Sequence, residues 1–122
     1  MQPIHKNIFL ELPLPPTINS YWGFLGHRRF LTAKAVQFKA EVAHIVSQQK
    51  IRFGDAKLEM TVTINFRDKR VADISNRLKA LEDALVQAGL MDDDSQLKVI
   101  HLYEGPIVKG GKCSVKINVL PF

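Results

Sequence analysis

Residues Lys69 to Asp94 read KRVADISNRLKALEDALVQAGLMDDD, and this stretch decides the fold. The apolar residues in its middle recur at steps of three and four, as they do on one stripe of a helix. They are Ile74, Leu78, Leu81, Leu85 and Ala88. Asp73 stands where an N-cap is expected, and Gly89 stands where a left-handed C-cap residue is expected. The stretch therefore predicts one amphipathic helix between these two residues.

The polar side of this helix predicts a cluster of functional groups. At about 100° per residue, Asn76, Lys79 and Asp83 project together and away from the apolar stripe. A helix of roughly fifteen residues is only about 22 Å long. We therefore expect that Asp94 can fold back beside Asp73 if the next strand runs antiparallel to the helix.

Two interpretations of these residues remain open at this point. Carboxylate oxygens are the ligands that Mg²⁺ and Mn²⁺ prefer, and a nearby lysine can balance charge or steady a phosphate. The acidic residues at positions 73, 83 and 92–94 thus form one candidate site for a divalent cation. The same residues also suit structural roles as a helix cap, a solvated helix face and an acidic turn.

The flanking sequence completes an α+β pattern. Alternating or apolar runs predict strands at 8–12, 58–66, 96–103 and 112–120, and Thr32 caps a second predicted helix at 33–49. We expect a small mixed sheet of about four strands with two helices packed on one face, in the order β-α-β-α-β-β. Residues 1–122 are predicted to form a single domain.

Two loops carry further candidate residues. Residues 17–29 are predicted to be a loop, in which Arg28 and Arg29 contact phosphates and Tyr21 or Trp22 stacks on a base. The alternative is a surface loop whose aromatic residues pack on the core. The pair at 110–111 is Gly-Gly, which fits either a hairpin turn or a close approach of the backbone to a ligand.

Composition restricts the class of protein. The net charge is +5, from 17 basic and 12 acidic residues, which favours a polyanionic partner. No apolar run approaches the roughly 18 residues of a membrane span, and the N-terminus lacks the long apolar stretch of a signal peptide. The single cysteine, Cys113, is predicted to be a buried small hydrophobe. We expect a cytoplasmic protein without a membrane partner or a nucleotide cofactor.

Three segments resemble one known family. They are LPLPPTINSYW at 12–22, DISNRLKALEDAL with a later Gly and DDDSQ at 73–96, and VKGGKCSVKI at 108–117. Together they resemble the RusA family of Holliday junction resolvases, whose central pattern is Asp-x-Asp-Asn-x-x-Lys, then Asp-Ala-Leu, then Gly and Asp-Asp. The resemblance spans most of the chain, and the central segment is its specific part.

The resemblance implies roles for the central residues. Asp73 and Asp94 correspond to metal ligands, with Asp93 as a further candidate ligand, and Lys79 corresponds to the catalytic lysine. Catalytic roles are therefore implied for Asp73, Lys79 and Asp94. The supporting positions are Ser75, Asn76 and Asp83, and the basic residues predicted to contact DNA are Arg28, Arg29, Lys69, Arg70 and Lys109.

One position departs from the family pattern. Ser75 stands where the second aspartate of the motif usually stands. The serine removes one negative charge, which weakens Mg²⁺ binding but also relieves repulsion between carboxylates. Its hydroxyl can still hydrogen-bond a backbone N–H near the helix start.

The function implied by the resemblance is endonucleolytic resolution of Holliday junctions in DNA recombination and repair, in a phage or prophage setting. A homodimer would make paired symmetric nicks in four-way junction DNA, with Mg²⁺, or Mn²⁺ as a substitute, polarising the phosphate and activating water. One alternative is a catalytically weak or inert junction-binding protein, motivated by Ser75. Another is a small α+β binding domain unrelated to DNA.

Overall fold

A computed structural model describes residues 7–70 and 72–121, and a four-stranded mixed sheet lies at its centre. The elements in chain order are β1 (Asn7–Leu12), β2 (Trp22–Leu25), β3 (Arg28–Leu31), α1 (Ala33–Gln49), β4 (Leu58–Asn65), α2 (Leu78–Gln87), β5 (Leu97–Glu104) and β6 (Lys112–Val119). The central sheet has the order β1-β6-β4-β5, and β2 pairs with β3 in a separate small sheet. The predicted α+β class is confirmed.

Strand β4 lies inside the sheet because its sequence alternates strictly. Leu58, Met60 and Val62 are fully buried on one side, while Thr61 and Thr63 on the other side are half-buried. β4 pairs antiparallel with β6 and parallel with β5. The strand predicted at 58–66 is thus present and ends one residue earlier.

Helix α2 forms the crossover that the parallel pair β4 and β5 requires. It packs against α1, and the buried residues of both helices join those of the sheet in one core. Helix α1 begins and ends where the sequence predicts. Its start is fixed by the Thr32 side chain, which accepts a hydrogen bond from the Ala35 N–H. Neither helix in the described part of the chain is long and apolar enough to cross a membrane.

The segment predicted as a loop at 17–29 contains a hairpin, so that prediction was wrong. β2 and β3 pair antiparallel, with Trp22 opposite Leu31 and Leu25 opposite Arg28. The turn is only Gly26-His27, and Gly26 has a φ of 63°. Each strand has four residues and the turn lacks an Asn-Gly or Asp-Gly signal, so neither periodicity nor turn chemistry marked the hairpin.

The Gly110-Gly111 turn is not a hairpin turn, because β5 and β6 lie on opposite sides of β4. The connection instead crosses the end of β4, where the Gly105 N–H donates to the Ile64 carbonyl and the Val108 N–H donates to the Phe66 carbonyl. Both glycines of the turn have positive φ, 82° and 74°. The glycine pair therefore forms a turn at the end of the sheet where β4 and β5 terminate.

Gln96 fixes the acidic turn before β5. Its side-chain oxygen accepts from the N–H groups of Asp92 and Asp93, and its amide donates to the carbonyls of Gly54 and Ala56 at 2.7 Å each. The residue is 8% exposed, so these four hydrogen bonds are largely shielded from water. One buried amide thus ties two loops together and holds the backbone that carries Asp94.

We expect Gln96→Ala to lower the free energy of unfolding by about 2–3 kcal/mol, because four backbone groups in a largely buried place lose their partner. Urea denaturation followed by circular dichroism measures the change. Gln48→Ala, at an exposed position on α1, is the control and should change stability by less than about 0.5 kcal/mol. Equal effects of the two substitutions would contradict this role of Gln96.

Candidate active site

Asp73 opens the helical stretch, as the sequence predicts. A 3₁₀ turn, Ile74–Arg77, precedes α2, and the Asp73 carboxylate accepts from the Ser75 N–H at 3.0 Å. The Ser75 hydroxyl donates to the same oxygen at 2.7 Å. These two hydrogen bonds, the hydroxyl's first, hold the pKa of Asp73 below its usual range, so this exposed carboxylate is ionised at neutral pH.

Lys79 is held by a chain of two polar contacts. Its Nζ lies 3.2 Å from Oδ1 of Asp83, one helical turn further along α2. The Tyr21 hydroxyl donates to Oδ2 of the same carboxylate at 2.9 Å. Burial, and then the hydrogen bond to Asp83, raise the pKa of the Tyr21 phenol far above its usual range, so it stays a donor.

The sequence did not predict this role for Tyr21. The residue is separated from Asp83 by 62 positions, and it was assigned to a loop as a base-stacking candidate. Its side chain is 0% exposed, so that stacking role is excluded for Tyr21 in this conformation. No periodic signal marks such a long-range contact.

Glu82 is a second acidic residue that the sequence analysis missed. Its carboxyl group lies near that of Asp94, and burial, followed by the negative charge of Asp94, raises the pKa of Glu82. Neighbouring carboxylates oppose each other's ionisation, and a bound cation would relieve this repulsion. Its place three residues after Lys79 and next to Asp83 also fits an ordinary charged helix face, so no sequence signal indicated its proximity to Asp94.

Asp93 and Asp94 have different surroundings. Asp93 caps a short 3₁₀ helix, Asp94–Gln96, and its carboxylate accepts from the Ser95 N–H at 3.1 Å. Hydrogen bonds from Ser95 lower the pKa of Asp93. The Asp93 carboxylate is therefore engaged by its own turn, whereas the charge of Asp94 acts on Glu82.

Asp73 and Asp94 lie at different heights along the helical stretch. The rise of the 3₁₀ turn and of α2 puts about 15 Å between Asp73 and Glu82 along the axis, and Asp94 is at the level of Glu82. Within residues 7–70 and 72–121, no three acidic, histidine or cysteine side chains form a group able to hold a metal ion. The assignment of Asp73 and Asp94 to one cation stays a prediction.

The donor set around α2 suits a hard divalent cation. Glu82 and Asp94 are close enough for the charge of Asp94 to raise the pKa of Glu82, and Asp83 follows Glu82 in the chain. Mg²⁺ needs only one or two carboxylates in many sites, because it keeps several of its waters. The pair Glu82–Asp94 is thus the part of the described chain whose chemistry best fits such an ion.

A cavity of about 570 Å³ lies against the Asp73 end of the helical stretch. Asn76, Arg77 and Glu104 line it together with Asp73. The Arg77 guanidinium is half-buried and donates to the Pro15 carbonyl at 2.7 Å, which fastens the proline segment to the helix start. Asn76 and Asp73 are therefore brought to one cavity, and Lys79 and Asp83 lie further along the helix.

The predicted DNA contacts are all on the surface. Arg28 and Arg29 are exposed on β3, and the Arg29 guanidinium lies 3.9 Å above the ring of Trp22. Lys69, Arg70 and Lys109 are exposed in the loops that follow β4 and β5, and Arg70 pairs with Asp68 at 3.0 Å. Their DNA contacts stay predictions, although their exposure is what such contacts require.

Two other titratable side chains, His101 and Cys113, lie away from α2. His101 pairs with Glu59 at 2.7 Å on the sheet face opposite the core. Cys113 is fully buried in β6, and burial raises the pKa of its thiol to about 12. Cys113 is therefore the buried small hydrophobe that the sequence predicts.

Comparison with known proteins identifies relatives along almost the whole chain. The family model described as "Endodeoxyribonuclease RusA" matches residues 13–119. The crossover junction endodeoxyribonuclease of Enterobacteria phage HK97 is 34% identical over 110 residues, which cover 89% of this chain and 92% of the relative. The proteins of the same name from Escherichia coli K12 and Enterobacteria phage 82 are each 29% identical over the same share of both chains.

The contact between Ser75 and Asp73 yields a prediction about cation binding. We expect Ser75→Asp to tighten Mn²⁺ binding about tenfold, since one added negative charge about 5 Å from a divalent ion contributes 1–2 kcal/mol in water. Titration of free Mn²⁺ by electron paramagnetic resonance measures this without any substrate. Ser47→Asp adds the same charge on the exposed side of α1 and should leave the affinity unchanged. Unchanged or weaker binding in Ser75→Asp would contradict a cation site at the helix start.

Proposed function

The chain belongs to the RusA family of endodeoxyribonucleases, and we propose that it resolves four-way DNA junctions by paired hydrolysis of phosphodiester bonds that depends on Mg²⁺. The family model covers all but the ends of the chain, and relatives are named crossover junction endodeoxyribonucleases. One observation carries the proposal. Helix α2 presents the ammonium of Lys79, which the Asp83 carboxylate and the buried Tyr21 hydroxyl hold in place, and Asp94 in the turn before β5 lies near Glu82 of the same helix.

The Lys79 ammonium is accessible and restricted in direction, as contact with a scissile phosphate requires. It is half-exposed, and its ion pair with Asp83 limits the directions that the ammonium can take. Because Asp83 is in turn held by the buried Tyr21, the ammonium starts from one preferred place. In our proposal Lys79 binds a phosphate oxygen and stabilises the charge that develops there.

The acidic groups supply the other half of the chemistry. We assign Asp73 and Asp94 as cation ligands, with Glu82 near Asp94. Because Asp73 and Asp94 lie at different heights along the helical stretch, they share one cation only where Asp73 comes from the partner subunit. A divalent cation bound there would polarise the phosphodiester and acidify a water molecule. Asp73 is exposed, and hydrogen bonds from Ser75 lower its already acidic pKa further, so a cation displaces no proton from it at neutral pH. Asn76, next to Asp73 in the same cavity, can orient a phosphate oxygen.

A homodimer fits paired cleavage. A four-way junction has two strands of like polarity to be cut, and two identical subunits related by a two-fold axis present two equivalent sites. The basic residues Arg28, Arg29, Lys69, Arg70 and Lys109 would bind phosphates around these sites. Binding then weakens steeply as the salt concentration rises.

A junction-binding protein without activity is the second candidate, and Ser75 is the observation that motivates it. In this structure the Ser75 hydroxyl donates to Asp73 and lowers the pKa of that carboxylate without adding a second negative charge. Incubation of a synthetic four-way junction with Mg²⁺ or Mn²⁺ separates the two candidates. Symmetric nicks support the enzyme, whereas retardation of the junction without cleavage in either metal supports the inert protein.

We expect Asp94→Asn and Asp73→Asn each to slow junction cleavage more than about 100-fold, since changes one shell away from a metal already cost about 10- to 100-fold. Junction binding measured in EDTA should stay intact or strengthen, because each variant removes a negative charge from a basic protein. Denaturing gels measure the nicks, and gel retardation measures binding.

Asp55→Asn is the matched control for these carboxylates, because Asp55 is exposed in the turn before β4 and has no assigned role. It should cleave at the rate of the unmodified protein. Wild-type cleavage by either Asp94→Asn or Asp73→Asn would refute that residue's assignment as a ligand.

The contact between Tyr21 and Asp83 generates a separate prediction. Tyr21→Phe removes the hydroxyl but keeps the ring, so we expect the single-turnover cleavage rate to fall about 3- to 10-fold, which corresponds to roughly 1 kcal/mol in the barrier. Junction affinity should not change. Tyr103→Phe, at a position 55% exposed on β5, is the control and should leave the rate unaltered.

A purely structural role for Tyr21 makes a different prediction. The melting temperature of Tyr21→Phe would then fall while the cleavage rate below the transition stayed at the wild-type value. That outcome would remove Tyr21 from the residues that position Lys79.

A further inference from the structure

The outer half of the β2–β3 hairpin extends away from the protein core. Every residue from Phe24 to Phe30 is exposed, and three of them are large and apolar. Phe24 is 69% exposed, Leu25 73% and Phe30 49%. We call residues 24–30 the hairpin tip. Scattered apolar residues on a surface are ordinary, but three of them in a protruding tip of seven residues form a concentrated apolar surface.

The apolar side chains lie on both faces of the hairpin. Side chains alternate along a strand, so Phe24 shares one face with its partner Arg29, and Leu25 shares the other with Arg28 and Phe30. The ring of Phe30 lies across Gly23, where a Cβ atom would come within 2.5 Å of it. Each face of the hairpin tip therefore carries at least one large apolar side chain and one arginine.

The residues that flank β2 and β3 connect the hairpin to Lys79. Tyr21 immediately precedes β2 and donates to Asp83, the partner of Lys79. Thr32 immediately follows β3, and its hydroxyl donates to the Ser20 carbonyl at 2.6 Å. A ligand that touches the tip is thus placed relative to the lysine through a short and buried connection.

The charge of this part of the chain selects the kind of ligand. Between Glu11 and Glu41 there is no acidic residue, whereas Arg28, Arg29, Lys34 and Lys39 are all basic. Two copies of such a segment would repel each other, so contact of the hairpin tip with the hairpin tip of a second copy is unfavourable. A nucleic acid matches the hairpin tip in two respects: its phosphates carry negative charge, and its bases have apolar faces.

We propose that the hairpin tip inserts at the branch point of a four-way DNA junction, where Phe24 and Leu25 cover exposed base faces and Arg28 and Arg29 bind the adjacent phosphates. This rests on the proposed function and adds a source of preference for junctions. An apolar wedge must unstack a base step in continuous duplex, at a cost of a few kcal/mol. At a branch point the base stack is already interrupted, so the hairpin tip can contact a base face without the cost of unstacking.

A fluorescent base at the branch point tests the insertion. A junction with 2-aminopurine next to the crossover is titrated with the full-length protein in EDTA, and a gel confirms that the DNA stays uncut. We expect the wild-type protein to change the fluorescence on binding, and Phe24→Ala to lose this change. The affinity of Phe24→Ala for the junction should fall about 5- to 150-fold, which is the range for loss of one stacked aromatic residue.

Phe9→Ala is a matched control, because Phe9 is also 69% exposed but lies on β1, on the sheet face opposite the core. It should behave as the wild-type protein does. Phe24→Trp should keep the fluorescence change, since it preserves a stacking surface. Binding of all variants to a linear duplex of the same length should agree within about twofold, because phosphate contacts dominate there.

The remaining outcomes overturn the insertion. Equal fluorescence changes for wild type and Phe24→Ala would show that the tip does not reach the branch point. Loss of a dimer in Phe24→Ala by sedimentation, with the fluorescence change retained, would make the tip a contact between subunits instead. A wild-type protein that neither retards nor cuts the junction refutes the proposed function itself, and is thereby distinguished from failure of the insertion alone.

Discussion

Strands β4 and β5 run parallel, and parallel neighbours cannot be joined by a tight turn. The chain must therefore leave the end of β4, return along the sheet as a helix, and enter β5 from the opposite edge. Asp73, Lys79, Asp83 and Asp94 all lie on this one crossover. The pairing of β4 with β5 thus decides which acidic groups meet, and it sets Asp94 beside Glu82 at mid-helix and leaves Asp73 at the helix start.

The second determinant is the buried contact between Tyr21 and Asp83. It joins the β2–β3 hairpin to the helix that carries Lys79 across a separation of 62 residues. A hairpin with an apolar, basic tip is thereby coupled to the group proposed to bind the scissile phosphate. Recognition of branched DNA and binding of the scissile phosphate would then both depend on the contacts of Asp83 with Tyr21 and Lys79.

Local signals predicted the regular elements and failed where contacts are long-range. The alternation in β4 and the cap at Thr32 gave strand and helix bounds that the structure reproduces within a residue. Gly26-His27 lacks the Asn-Gly or Asp-Gly pair that most strongly marks a hairpin, and Gln96 acts through loops some forty residues away, so neither left a clear pattern. The cap at Asp73 was predictable from spacing. The contacts of Glu82 and Tyr21 were not, because they depend on tertiary packing.

The account depends most on a divalent cation bound at the acidic side of the crossover helix. Anomalous diffraction from Mn²⁺ in crystals of the protein with a four-way junction measures its place directly. The account predicts a peak about 2.2 Å from an Asp94 oxygen, as expected for carboxylate ligands, within reach of the phosphate that Lys79 contacts. It also predicts that Asp73 from the partner subunit completes that ligand set. A peak remote from Asp94, or a junction bound with no Mn²⁺ near α2, would contradict it.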